Sequence, residues 1–309
     1  MTSTRVACLT RRLAIAASLV GSALAAQAPQ PDGAGLERGA LPASWAEANG
    51  DACATTPHFR LHEYNADLYI LRQTGCTNYE KPFLYLIFGN DQALLVDTGA
   101  KGANVADAIS SALKRWGDKR GNGRMPKLVA AHSHGHGDHV AGDSALRTLP
   151  NVTVVGTSAD AVQAFFGFRH WPDSAATYDL GGRVLDILPI PGHQPASIAV
   201  YDRRTGLLLT GDTMYPGRLY VADGPAFTKS VRRLVEFTRD KPIAHVLGAH
   251  IEESRTPFLD YPIGTKFQPD EHVLELSRGQ LVELQDALDQ MNGTVVRRAF
   301  RDFTIWPNR

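Results

Sequence analysis

With 309 residues, 43% hydrophobic and 21% charged, the chain has the composition of an ordinary globular protein and can bury a sizeable core in one large domain or two modest ones. Its 32 basic residues balance its 32 acidic ones, which argues against a nucleic-acid partner, because such binders carry a basic face or stripe.

The first 25 residues predict an export signal. Arg5, Arg11 and Arg12 precede or adjoin an apolar run from Leu13 to Val20, and Ala23-Leu24-Ala25 offers a small-residue cleavage site. Residues 1–25 are therefore expected to be removed from a periplasmic or secreted protein, by the Sec or the twin-arginine route. The apolar run falls short of a membrane span and no later run reaches one, so no stable membrane insertion is expected after cleavage. Cys8 would leave with the signal. Cys53 and Cys76 then remain as an even pair in an oxidising compartment, which predicts a Cys53–Cys76 disulfide worth roughly 3 kcal/mol on the chain-entropy account.

Residues 26–50 are rich in Ala, Pro and Gly without a hydrophobic period and read as a flexible arm ahead of one folded domain over 51–309. Short β-rich runs at Phe59–Tyr64, Leu68–Leu71, Phe83–Phe88 and Ala93–Val96 suggest an antiparallel meander. The period then becomes helical at Val105, Ile109, Leu113 and Trp116, before Lys127–Ala131 returns to strand. The second half repeats the alternation: strand at Val152–Val155, helix at Ala159–Phe166, and strands at Val184–Ile190, Ile198–Tyr201 and Leu207–Leu209. Helix follows at Phe227–Phe237, a short strand at His245–Leu247, and a longer helix from Glu271 to Met291. Two groups of strands, each followed by helices, imply packed sheets with helices outside. Thr256–Pro269 reads as a lid or a plain connection, and the basic cluster from Lys114 to Lys127 as a solvated surface.

The chemistry concentrates in Ser133-His134-Gly135-His136-Gly137-Asp138-His139, where a strand ends. His134 and His136 can converge on one ion from a loop, while Asp138 and His139 in the following turn point toward a second; neutral imidazole and carboxylate suit zinc or a similar dication. Gly135 and Gly137 are expected to let the backbone fold tightly there. A histidine run can also be an adventitious tract, but His193 in Pro191-Gly192-His193, Asp212 in Gly211-Asp212-Thr213 and His250 in Gly248-Ala249-His250 each follow a predicted strand, which makes convergence on one sheet edge plausible.

Those motifs, with Leu95-Val96-Asp97-Thr98-Gly99, resemble the metallo-β-lactamase superfamily in content and order over roughly residues 80 to 250. The HxHxDH register takes His134, His136, Asp138 and His139, leaving His132 outside the ligand set. The resemblance implies an α+β fold, an αββα four-layer sandwich, as the catalytic domain over 51–309. It implies two divalent metal ions, zinc foremost and iron or manganese as alternatives: His134, His136 and His193 on one, Asp138, His139 and His250 on the other, Asp212 bridging. The metal-bound hydroxide would attack an ester, lactone, thioester or amide carbonyl of a small-molecule substrate, with Asp138 helping to move the proton. Asp97 is implied to act behind the ligands by fixing the histidine loop. Tyr215 and Tyr220 are candidate substrate contacts or core aromatics, as are Phe165, Phe166, Phe168 and Trp171.

Asp212 stands where true zinc β-lactamases carry cysteine or serine, which favours the glyoxalase II, lactonase and esterase side of the superfamily. Three other readings stay open: an exported β-lactamase-like enzyme, a mononuclear iron persulfide dioxygenase, and a non-catalytic metal-binding scaffold.

Overall fold

Central strands such as Phe83–Phe88 read as apolar runs rather than alternating ones because both of their faces are covered. The computed structural model describes residues 1–2, 35–46, 49–120, 123 and 125–308, so nearly all of the predicted export signal and the start of the arm lie outside the described residues. One six-stranded sheet runs in chain order through β1 (Phe59–Asn65), β2 (Leu68–Gln73), β3 (Phe83–Phe88), β4 (Gln92–Val96), β5 (Lys127–Ala131) and β6 (Val152–Val154). Its first four strands form the antiparallel meander read from the sequence, and β4, β5 and β6 are parallel. The second sheet contains β7 (Ala176–Asp179), β8 (Val184–Pro189), β9 (Ile198–Asp202), β10 (Leu207–Gly211), β12 (His245–Gly248) and β13 (Glu275–Leu276), ordered β13-β12-β10-β9-β8-β7. A small third sheet joins β11 (Arg218–Val221) to β15 (Thr304–Pro307) and β14 (Arg298–Ala299).

Successive side chains of a strand point to opposite faces, so each strand feeds two cores. Leu68, Ile70, Phe83, Tyr85 and Ile87 meet Leu185, Ile187, Val200, Leu207 and Leu247 between the sheets. The alternate residues Tyr69, Leu71, Leu84, Leu86 and Phe88 pack outward under α1 (Val105–Arg120), against Val105, Ile109 and Leu113. On the other flank Leu188, Tyr201, Leu208 and Val246 meet α5 (Gly224–Phe237) and α6 (Arg278–Gln290) through Phe227, Val231, Leu281 and Leu284. Three cores separate four layers, an αββα sandwich. Each leucine so buried contributes roughly 1.5–3 kcal/mol relative to exposure. The remaining helices are short: α2 (Gly137–Val140), α3 (Asp143–Leu146) and α4 (Ala159–Phe166).

One polar contact bolts the two sheets together at full burial. Arg183 grips Asp202 through Nε (3.2 Å) and Nη2 (2.5 Å), while its Nη1 donates to the carbonyls of Asp67 (2.5 Å) and Phe88 (3.0 Å) in the first sheet's turns.

Several expectations are corrected. The described part of the arm is docked rather than flexible: Ala40 N donates to the Tyr64 carbonyl (3.0 Å), and Trp45, 1% exposed, stands edge-on to Phe83. A single tryptophan offers more apolar surface than the surrounding Ala, Pro and Gly suggest. The last long helix begins at Arg278, not Glu271, because Glu275–Leu276 pairs with β12 and Ser277 closes a capping box with Gln280. Thr256–Pro269 is tied down at its base by bridges from Glu253 to Asp260 and from Ser254 to Glu271. The disulfide Cys53–Cys76 is present, Cα atoms 5.4 Å apart, fastening the loop that follows β2. Among the described residues no helix is long and apolar enough to cross a membrane.

Candidate metal centre

Strand direction determines where the polar residues gather. In the first sheet β4 and β5 are parallel; in the second β8 and β10 each run antiparallel to β9, and β10 runs parallel to β12. Loops leaving β4, β5, β8, β10 and β12 therefore emerge at one edge, carrying Asp97, His134 to His139, His193, Asp212 and His250 respectively.

Their donor atoms form two groups. His134 Nε2, His136 Nδ1 and His193 Nε2 make a triangle with sides of 3.0, 3.0 and 3.2 Å. Asp138 Oδ2, His139 Nε2 and His250 Nε2 make another with every side 3.3 Å. Asp212 serves both. Its Oδ1 lies 3.5 Å from His139 Nε2 and 3.4 Å from His250 Nε2; its Oδ2 lies 3.6 Å from His193 Nε2 and 3.8 Å from His134 Nε2. Ligands of a tetrahedral ion with bonds of about 2.1 Å stand roughly 3.4 Å apart, so both groups have the spacing of a metal site. Imidazole lone pairs aimed at one another repel unless a cation sits between them. Asp212 Oδ1 is buried and has no hydrogen-bond partner, which a cation would also supply. The donor set fits two divalent ions.

Electrostatics point the same way. Burial, reinforced by the neighbouring His139, holds His134 well below the usual histidine range, leaving it neutral. Burial would raise the carboxyls of Asp138 and Asp212, but His139 and His250 beside them pull both well below the carboxylate range. Reciprocally, burial disfavours charge on His250 and His139, yet Asp212 and Asp138 raise His250 to about 9, and Asp212, Asp97 and Asp138 hold His139 well above its ordinary value. The carboxylates of the second group thus favour the protonated form of both histidines, and a dication would compete for the same nitrogens.

The other ring nitrogens of His134, His139, His193 and His250 are engaged. His139 Nδ1 donates to Asp97 Oδ2 (2.9 Å), His193 Nδ1 to the Tyr220 carbonyl (2.7 Å), and His250 Nδ1 to the Glu80 carbonyl (2.9 Å). Asp97 also accepts from Ser133 N (2.7 Å) and Ser133 Oγ (2.8 Å), and Ser133 Oγ lies 3.1 Å from His134 Nδ1. Such contacts leave the other nitrogen's lone pair free for an ion. Asp97 adopts φ 69°, an unusual conformation for a residue with a side chain. His136 alone presents Nδ1 inward and is exposed, standing at the rim.

All seven residues proposed as ligands from the sequence are brought together, and Asp97 lies directly behind them. His132 is not among them: its Nε2 meets Asp143 Oδ1 at 2.8 Å. Gly135 and Gly137 hold ordinary backbone with room for a side chain, so the expected need for glycine at those positions is not met. The glycines that matter precede other ligands. A Cβ on Gly211 would stand 2.6 Å from Ser133 Cβ, and one on Gly192 2.3 Å from Phe227 Cα, with φ of 51° and 140°. Tyr215, read as a candidate substrate contact, is 1% exposed with its hydroxyl donating to the Arg218 carbonyl and its ring 5.7 Å from His250. Phe166 and Phe168 belong to the core between the sheets, with Phe165 and Trp171 against it. The carbonyls of Glu80 and Tyr220 were not foreseen; a backbone acceptor has no signature in residue type. Ser133 was within sight, as the hydroxyl adjoining the first histidine.

The metallo-beta-lactamase superfamily profile matches residues 81–277. The chain belongs to the metallo-beta-lactamase superfamily. Among curated relatives, a hydroxyacylglutathione hydrolase of Anaeromyxobacter dehalogenans is 32% identical over 148 residues, 47% of this chain and 49% of that protein. A protein of the same name from Aeromonas salmonicida is 30% identical over 162 residues, 51% of this chain and 58% of its own length. The chain spans about half the length of the curated relatives it matches. Among solved structures, a metallo-beta-lactamase of Pseudomonas aeruginosa in its mono-zinc form aligns over 78% of this chain and 98% of its own, with TM-score 0.50 at 16% identity, a likeness of fold. Membership in the metallo-beta-lactamase superfamily implies divalent metal ions, and the two donor groups are where they could bind.

Proposed function

We propose that this chain is a metal-dependent hydrolase that cleaves an acyl bond of a small molecule at a two-metal centre, with zinc as the resident ion. The observation that carries the reading is Asp212, whose two carboxylate oxygens face different donor groups, so that it could be shared between two ions. His134, His136 and His193 would hold one ion; Asp138, His139 and His250 the other. When bound, two such cations supply Lewis acidity at a carbonyl oxygen and lower the pKa of a water toward neutrality.

The protein contributes rigidity and proton handling. Asp97 keeps the His139 proton on Nδ1, and the Tyr220 and Glu80 carbonyls do so for His193 and His250. The side chain of Asp138 is 22% exposed, against 8% for Asp212, so it can exchange a proton with a departing group while Asp212 stays fixed. Exposed His136 marks the side from which substrate approaches. Esters, lactones, thioesters and amides share the carbonyl this chemistry needs. The names of the curated relatives make an acyl-glutathione the first compound to try.

Export to the periplasm or beyond is part of the proposal, supported by the Cys53–Cys76 disulfide, since such bonds persist in oxidising compartments. Elemental analysis with a panel of lactones, aryl esters, acyl-glutathiones and a chromogenic β-lactam tests the reading. Two zinc ions per chain and turnover of one class are expected, with His136→Ala and Asp212→Ala folded but inactive and depleted of metal. Full turnover in either variant would sink it, and a single iron with oxygen uptake and no hydrolysis would point to a dioxygenase.

A further inference from the structure

Away from the metal centre, a second set of buried polar atoms lacks partners. Arg72, 2% exposed, gives Nη1 to Glu271 Oε1 at 2.5 Å, but its Nε and Nη2 meet no acceptor. Trp45 Nε1 and Gln268 Oε1, also buried, are likewise unpartnered. These three residues, with Lys81 and Glu271, line one cavity with room for about one small occupant. Unmet N–H groups at such burial call for a ligand.

The donors and charges discriminate between occupants. Four N–H bonds, one on Arg72 Nε, two on Arg72 Nη2 and one on Trp45 Nε1, have nothing to donate to, whereas one water accepts only two hydrogen bonds. The Gln268 amide, turned about its last bond, presents its NH2 as a further donor. Arg72 and Lys81 face a single lining carboxylate, Glu271, so the cavity wall carries an excess positive charge if both are ionised. Lys81, 5% exposed, donates to the Thr265 carbonyl at 2.8 Å. Burial and the Arg72 charge bring it down to about 7, against the opposing pull of Glu271, Glu252 and Glu80. A monovalent anion beside the Arg72 guanidinium supplies the missing countercharge and favours the protonated form of Lys81.

We propose that this cavity binds a small monovalent anion of the halide class, held by the Arg72 guanidinium, the Trp45 indole N–H and Lys81. The site does not depend on the reading of the metal centre. It ties the docked arm, through Trp45, to β2 and to the loop whose Glu80 carbonyl holds His250.

Anomalous diffraction from crystals of the full chain grown in 100 mM sodium bromide tests the proposal, beside thermal unfolding between 1 and 100 mM bromide with ionic strength held by sodium gluconate. A single anomalous peak in contact with Arg72 and Trp45 is expected, with an unfolding midpoint that climbs with bromide. Trp45→Phe should raise the bromide needed for half the effect roughly tenfold, the loss of one hydrogen bond to a charged acceptor. Cavity density without anomalous signal means water and overturns the proposal. A peak without a bromide-dependent midpoint is occupancy at crystal concentration only, and a bromide-dependent midpoint with an empty or water-filled cavity places the ion elsewhere; either overturns it. None of these readouts passes through metal content or hydrolysis.

Discussion

Replacing Asp97 with Asn should weaken metal binding at one half of the centre while leaving the fold standing. The Asp97 carboxylate accepts three hydrogen bonds, from Ser133 N at 2.7 Å, Ser133 Oγ at 2.8 Å and His139 Nδ1 at 2.9 Å, the last two on the same oxygen. In Asp97→Asn the amide oxygen can keep the Ser133 backbone contact, but the NH2 then faces the His139 N–H donor to donor. Relief requires His139 to move its proton to Nε2, the atom that faces Asp138, His250 and Asp212. A hydrogen bond to a charged group is worth about 1.5–3 kcal/mol, or roughly 10–100-fold in an equilibrium constant, which is also the usual effect of losing such a supporting contact behind a ligand. Competition with a chromophoric chelator should show one metal bound roughly 10–100-fold more weakly and the other, on His134, His136 and His193, much less affected. Circular dichroism of the variant controls for folding. Equal affinity for both metals, within twofold of wild type, would refute the role given to Asp97.

Three further outcomes are expected. Arg183→Met should cost about 3–5 kcal/mol in urea unfolding, because Asp202 is left buried and charged between the sheets, and replacing Asp202 as well should recover part of that; a loss below 1 kcal/mol would contradict the account. Metal uptake by the apoprotein at pH 7 should release between one and two protons per second-group ion, since His250 titrates at about 9 there and His139 is also raised, and apparent affinity should fall as pH drops below 9; an indicator dye that registers no proton release would contradict it. Burial raises Glu253 to about 7 despite the hydroxyl of Thr304 at 3.2 Å, so its contribution is complete below the unfolded value near 4.5 and is lost as pH rises through 7. The difference in unfolding free energy between wild type and Glu253→Gln should therefore change by up to about 3 kcal/mol between pH 4.5 and 8.

What was legible in the sequence follows from how the information is stored. Strands such as Phe83–Phe88 were readable because burial on both faces makes every residue apolar. The metal centre was readable because its side chains are of unusual type and each stands just after such a strand. Strands β11, β14 and β15 left no comparable trace. Arg218–Val221 acquires its strand character from pairing with Thr304–Pro307, far along the chain, and two to four residues carry too little pattern to announce that partner. Residues 271–276 were assigned to a helix because local period cannot register the competing ladder to β12. The docked arm was missed for a similar reason: composition averages over a window, and the attachment rests largely on Trp45.

The metal centre and the sandwich pull in opposite directions energetically. Burying His139 and His250 with Asp97 and Asp212, beside the half-buried Asp138, assembles charges that an apolar core would exclude, and Asp212 Oδ1 is left without a partner. The sheets tolerate this because the groups stand on loops at the strand ends, while the strands themselves supply three apolar cores. Rigidity is transmitted by close approach: Gly211 sets the end of β10 against Ser133, the Ser133 carbonyl accepts from Ile198 N of β9 at 2.8 Å, and Phe83 N of β3 donates to the Ala249 carbonyl beside His250 at 2.8 Å. Each sheet thus holds the other's ligand loops, and the distance between the two donor groups is a property of how the sheets pack. A cation that binds there would relieve the unpaired carboxylate oxygen and displace protons from the second group, so metal binding would add directly to the stability of the fold that positions it.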